Sequence, residues 1–121
     1  MTDFDDLLRR NLERVFGEHD AGRRMKAIGE LYAEDAVLYE PDAAVRGHAA
    51  ISSAVTALLE HLPAGFVFTA TGPALGHHGV ARLRWQAGPP GGPIAVVGID
   101  VARIENSKIQ TLHVFIDPNA A

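Results

Sequence analysis

The chain has 121 residues, 47% of them hydrophobic and 21% charged, the composition of one globular domain long enough to bury a core without covalent staples. Lys and Arg number 11 against 15 Asp and Glu, a net charge of −4 that argues against a sequence-blind nucleic-acid binder, whose affinity needs an excess of basic groups. With no cysteine there is no disulfide, thiolate nucleophile or Cys-based zinc site. Met1-Thr2-Asp3-Phe4-Asp5-Asp6 is acidic where a secretory signal would be basic and then apolar. The apolar run Ile94-Ala95-Val96-Val97-Gly98-Ile99 is far too short to span a bilayer. A cytoplasmic protein of one domain, residues 1–121, is therefore expected, without membrane or nucleic-acid partners.

Phe4, Leu7, Leu8, Leu12, Val15 and Phe16 recur at three- and four-residue spacing, which predicts a first helix with one apolar stripe, capped by Thr2 with Asp5 and ended at Gly17. Asp20 can cap a second helix whose apolar members are Met25, Ile28, Leu31 and Tyr32. Ala36 to Glu40 reads as a short strand stopped by Pro41. A third helix runs from about His48 to Leu62, with Ile51, Val55, Leu58, Leu59 and Leu62 as its buried face. Strands follow: Phe66 to Leu75, Gly79 to Ala87, Ile94 to Ile104 and Lys108 to Ile116, the last two joined by a tight turn at Glu105-Asn106-Ser107. In the second of these, Ala81, Leu83, Trp85 and Ala87 alternate with Arg82, Arg84 and Gln86. Helices first and strands after predict an α+β fold, a curved antiparallel sheet wrapped around N-terminal helices.

The final strand carries apolar residues at both parities. Leu112, Val114 and Ile116 form one face; Ile109, His113 and Phe115, with Thr111, form the other. A second apolar face needs a cover, so a homodimer through the outer sheet face is expected, with His113, Phe115, Arg82 and Arg84 at the contact.

Several phrases resemble the nuclear-transport-factor-2-like superfamily, in its SnoaL-like and ketosteroid-isomerase-like branch. They are Leu31-Tyr32-Ala33-Glu34-Asp35-Ala36-Val37 leading to Glu40-Pro41, Arg46-Gly47 opening the third helix, Ile99 to Asn106, and Lys108-Ile109. The resemblance covers nearly the whole chain. It implies a cystatin-like cone, usually dimeric, with a pocket inside. Matching parity would place Leu38, Glu40, Leu83, Trp85, Asp100, Ala102, Leu112 and Val114 on the pocket wall, with Val15, Phe16, Tyr32 and the third helix contributing. The fold alone does not fix the activity, because it hosts isomerases, cyclases, dehydratases, epoxide hydrolases and non-catalytic binders.

Two carboxylates carry the candidate chemistry. Glu40, just before Pro41, matches the general-base aspartate of the isomerases; the bland alternatives are a surface residue or a partner for Arg46. Asp100 follows six apolar or glycine residues in mid-strand, where a carboxyl must be hydrogen-bonded, paired or protonated. It matches the isomerases' second aspartate, which donates a hydrogen bond to the developing oxyanion; the alternatives are a salt bridge to arginine or an exposed position. The isomerases' oxyanion tyrosine on the first helix corresponds to Val15, and neither Tyr32 nor Tyr39 stands at that position. In the epoxide-hydrolase branch an Asp-Arg-Asp set would fall on Asp100, Gly98 and Val114, so only Asp100 remains.

Trp85 can stack on a planar ligand or simply fill the core. His113 falls on the outer face. His77 and His78, adjacent at a strand end, should point apart and make a poor metal pair. His19, His48 and His61 read as surface or capping residues. The leading expectation is an enzyme moving a proton on a small apolar carbonyl compound, isomerase- or cyclase-like, with Glu40 as base and Asp100 as acid, chemistry that requires no cofactor. Phe16, Tyr32, Leu38, Leu83, Trp85, Ala102, Leu112 and Val114 would shape the pocket. The alternatives are a non-catalytic binder of a hydrophobic small molecule and a dimerisation scaffold with a filled cavity.

Overall fold

A computed structural model describes residues 3–117. Helix α1 (Phe4–Asn11) is capped by Asp3, whose carboxylate accepts from the Asp6 N–H at 3.0 Å. The expected cap Thr2 lies outside the described residues. The helix widens into a π-helical turn (Leu12–Phe16) closed by the Gly17 N–H on the Leu12 carbonyl at 2.9 Å. A Cβ at Gly17 would lie 2.8 Å from the Glu13 carbonyl oxygen, so this tight closure requires glycine. Helix α2 (Ala21–Leu31) is capped by Asp20 as expected, its carboxylate accepting from the Arg23 N–H at 2.8 Å.

Tyr32 leaves α2 directly into strand β1 (Tyr32–Glu40), longer than the sequence suggests. Pro41 and Asp42 then turn the chain back into β2 (Ala43–Arg46), a strand whose short alanine-rich run gives little β signal. Helix α3 (His48–His61) follows. Its His48 ring lies 3.0 Å from the Ala33 carbonyl and 3.1 Å from that of Tyr32, so this histidine ties α3 to β1 rather than facing solvent alone.

The single strand expected from Phe66 to Leu75 is two, β3 (Val67–Ala70) and β4 (Leu75–His77), interrupted around Gly72-Pro73. Both pair with β5 (Val80–Gly88). Strands β6 (Val96–Glu105) and β7 (Lys108–Asp117) meet through Asn106 and Ser107, at φ 51 and 61, the paired left-handed conformations of a two-residue hairpin turn.

The α+β plan is as expected, with a curved, unclosed sheet in the order β2-β1-β7-β6-β5-β3, β4 lying beside β5. One pair departs from the antiparallel expectation: β1 runs parallel to β7. The helices cover the inner face, where Ile28, Leu31 and Ile51 meet Leu38, Leu83 and Leu112, each at most 1% exposed.

Three details correct the sequence reading. Between β6 and β7 the register shifts, Ile104 pairing with Ile109 but Arg103 with Thr111. The extra residue, Gln110, turns Ile109 into the core at 0% exposure, away from the face of His113 and Phe115. On α2, Met25 is 39% exposed and Arg24 takes the inward position at 1%. The Arg24 guanidinium donates to the carbonyls of Glu18 and Ser52 and to the hydroxyls of Ser52 and Thr56, the last at 2.6 Å. Arg24 thus clamps α2 to α3, and Arg24→Ala is expected to lower unfolding free energy by about 3 kcal/mol, read from urea denaturation. A loss under about 1 kcal/mol would refute that role. His77 and His78 do not diverge: His78 adopts φ 53, which brings the two Nδ1 atoms to 2.8 Å. Among the described residues no third metal-ligating group joins them.

Candidate functional site

The sheet and helices leave a cavity of about 120 Å³ between the π-helical turn, the end of α3 and strands β3, β5, β6 and β7. The turn contributes Leu12 and Phe16, four residues apart on one face. Leu58 and Leu62 come from the end of α3, Phe68 from β3, Trp85 and Ala87 from β5. Val96, Val114 and Ile116 complete the apolar wall, and the two ionisable groups on it are Glu40 and Asp100. A cavity of this size matches the order of magnitude, about 150 Å³, of an apolar void that holds one benzene-sized molecule.

Register explains why both carboxyls reach it. Tyr39 pairs with His113, so the next residues, Glu40 and Val114, fall side by side, and Val114 pairs with Asp100. Glu40 and Asp100 therefore flank Val114 in one inward-facing row, their backbones two strand spacings or about 10 Å apart. Glu40, Val114 and Asp100 all line the one cavity.

Asp100 is 2% exposed. Burial pushes its carboxyl up to about 7, against a hydrogen bond from the Trp85 indole N–H that favours the charged form. That bond, Nε1 to Oδ1, is 2.9 Å, and no arginine approaches: the expected salt-bridge alternative is absent among the described residues. Glu40, half-buried at the end of β1, is also raised, by burial and then by the charge of Asp42. Its carboxylate makes no ion pair with Arg46.

Of the residues expected on the wall, Phe16, Trp85 and Val114 line the cavity beside the two acids. Tyr32, Leu38, Leu83, Ala102 and Leu112 share the inward face but are packed into the core and do not line it. Parity identifies the face; where the helices fill the cone decides which part stays open. The Tyr32 hydroxyl donates to Asn11 Oδ1 at 2.5 Å, and burial, with the Asp100 charge second, drives its pKa well upward. Val15 is buried at 0% exposure. Asn11, also at 0%, keeps its Nδ2 without a hydrogen-bond partner. A polar residue at the stripe position between Leu8 and Val15 is the signal that could have singled it out. Leu12, Phe68, Ala87, Val96 and Ile116 were not singled out as pocket residues, although Ala87 continues the alternation of Leu83 and Trp85.

The chain is thus of the α+β class, a curved, unclosed sheet wrapped on helices, with an apolar hollow and two acids on its wall. The SnoaL-like domain model matches residues 9–112, and the chain belongs to that family. No curated protein matches the sequence. Among solved structures, the chain is similar to a proposed isomerase of the SnoaL-like family from Agrobacterium tumefaciens, at 25% identity and TM-score 0.87, covering 97% of this chain and 99% of that one. A proposed ketosteroid isomerase from Kribbella flavida shares 17% identity at TM-score 0.72, over 97% and 79% of the two chains. A proposed polyketide cyclase from Sinorhizobium meliloti shares 19% at TM-score 0.69, over 93% and 95%. The last two likenesses show the fold alone.

Proposed function

We propose that the chain catalyses proton transfer on a small, uncharged carbonyl compound of about one ring. Glu40 removes a proton from the carbon beside the carbonyl. Asp100, in its protonated form, donates a hydrogen bond to the oxygen as negative charge develops there, and Glu40 returns the proton to the same or a conjugated carbon. The single observation carrying this reading is that two carboxyls from separate strands flank Val114 and line one apolar cavity. The isomerase named for the Agrobacterium relative accords with it. The test is hydrogen–deuterium exchange beside the carbonyl of single-ring ketones in D2O, followed by proton NMR. Catalysed exchange that disappears in Glu40→Gln is expected; no exchange above buffer, or exchange surviving that substitution, overturns the reading. Saturable binding without exchange would identify a binder instead, a reading favoured by the buried, apolar Val15 at the position where the family resemblance implies an oxyanion tyrosine.

The same chain is proposed to pair with a second copy through its outer sheet face. Tyr39 stacks on His113 there, with ring centroids 4.5 Å apart, and Phe115 remains 55% exposed. Arg82 and Arg84 stand exposed on β5, separated from His113 and Phe115 by Val101 and Ile99 of β6. Light scattering at micromolar concentration is expected to give twice the chain mass, falling to one chain in Phe115→Glu; a monomeric parent protein refutes the pairing.

A further inference from the structure

Trp85 stands out among the cavity residues because its indole N–H is the sole described hydrogen-bond partner of the Asp100 carboxyl. The two residues are not directly opposite: Trp85 pairs with Gly98 across β5 and β6, and Asp100 with Leu83. The indole must cross diagonally to reach Asp100, and Gly98 allows this. A Cβ at Gly98 would lie 2.2 Å from the indole Cζ2 and 2.6 Å from Cε2. The indole thus lies against bare backbone. The Phe68 ring holds it from β3, with centroids 5.6 Å apart at 52°. Trp85 is 4% exposed in this seat.

An indole N–H can only donate, so the oxygen it meets must accept. We propose that Trp85 is a positioning residue for Asp100: its N–H occupies Oδ1, and the acidic proton is carried on Oδ2, the oxygen left for a ligand in the cavity. Gly98 and Phe68 are part of the same device, since they fix the plane of the indole. A freely turning carboxyl would share its proton between two oxygens, only one of them aimed at the ligand; the indole removes that choice. This inference rests on the donor role given to Asp100 above, and its test uses no turnover, so the two can fail separately.

The chain contains one tryptophan, so indole emission reads this environment without interference from another. The titratable groups around the bond are Asp100 itself, Glu40 on the same cavity wall and Tyr32 on β1; among the described residues no arginine, lysine or histidine lines the cavity. Emission followed across the range from about pH 5 to about pH 9 is expected to change with a midpoint near the Asp100 value of about 7. The change should vanish in Asp100→Asn and persist in Glu40→Gln. A flat profile in the parent protein, or a profile that survives Asp100→Asn, overturns the proposal. In Trp85→Phe, carboxyl carbon-13 NMR of Asp100 should show its midpoint raised by about one pH unit, because a bond favouring the charged form is gone. An unmoved midpoint in a folded Trp85→Phe protein also overturns it.

Discussion

Glu40→Gln is expected to lower kcat for proton transfer by about 10²- to 10⁴-fold, the usual contribution of a positioned general base, with KM nearly unchanged. The amide keeps the carboxylate's shape and breaks no ion pair, so cavity and fold should survive the substitution. The pH dependence gives a sharper signature. The proposed reaction requires Glu40 ionised and Asp100 protonated. Glu40 is raised above 4.5, and Asp100 to about 7, so kcat/KM should be bell-shaped with its maximum in the mildly acidic range between them. Asp100→Asn should remove the alkaline limb and leave the acid limb. Asp42→Asn should move the acid limb to lower pH, because the neighbouring charge that opposes Glu40 ionisation is gone. A single rising limb in the parent protein would show that Asp100 does not act as the proton-bearing group.

The parts of this site that were legible from sequence are those set by local alternation. Leu83, Trp85 and Ala87 announce an inward face by their period of two, and Glu40 and Asp100 fall on that face by the same count. Depth was not legible. Leu38 and Leu112 have the right parity but sit where α2 and α3 close the cone, whereas Val114, two residues beyond Leu112, lies at the open part. The Trp85–Asp100 bond depends on a diagonal across two strands and on the missing side chain at Gly98, a coincidence of register that neither strand encodes alone. The Gln110 bulge shows the same limit: counting by twos through it puts Ile109 on the wrong face. Hydrophobicity alone favours Met25 for the inward position on α2, whereas α3 offers hydroxyls and a carbonyl that satisfy the Arg24 guanidinium instead.

The cost of keeping an acid in this hollow should be measurable as stability. Asp100 holds its proton up to about 7 in the folded chain, against 3.8 for the ordinary carboxyl of the unfolded one. Below 3.8 both states are protonated and the group contributes nothing to the pH dependence. Between these values the folded state binds the extra proton, so unfolding free energy falls as pH rises, by about 1.4 kcal/mol per pH unit. Above about 7 both states are ionised and the penalty is complete, on the order of 4 kcal/mol. Asp100→Asn removes this titration while its amide oxygen can still accept from Trp85. The variant should match the parent protein near pH 4 and exceed its stability increasingly up to pH 8, by up to about 4 kcal/mol. Asp5, Glu18 and Asp35 have lowered values and push stability the other way in acid, but they are common to both proteins and cancel in the difference. Urea unfolding of the pair at several pH values gives that difference directly. Parallel stability curves would mean that Asp100 ionises as easily inside the fold as outside it, and the proton it is proposed to offer a ligand would then be absent at neutral pH.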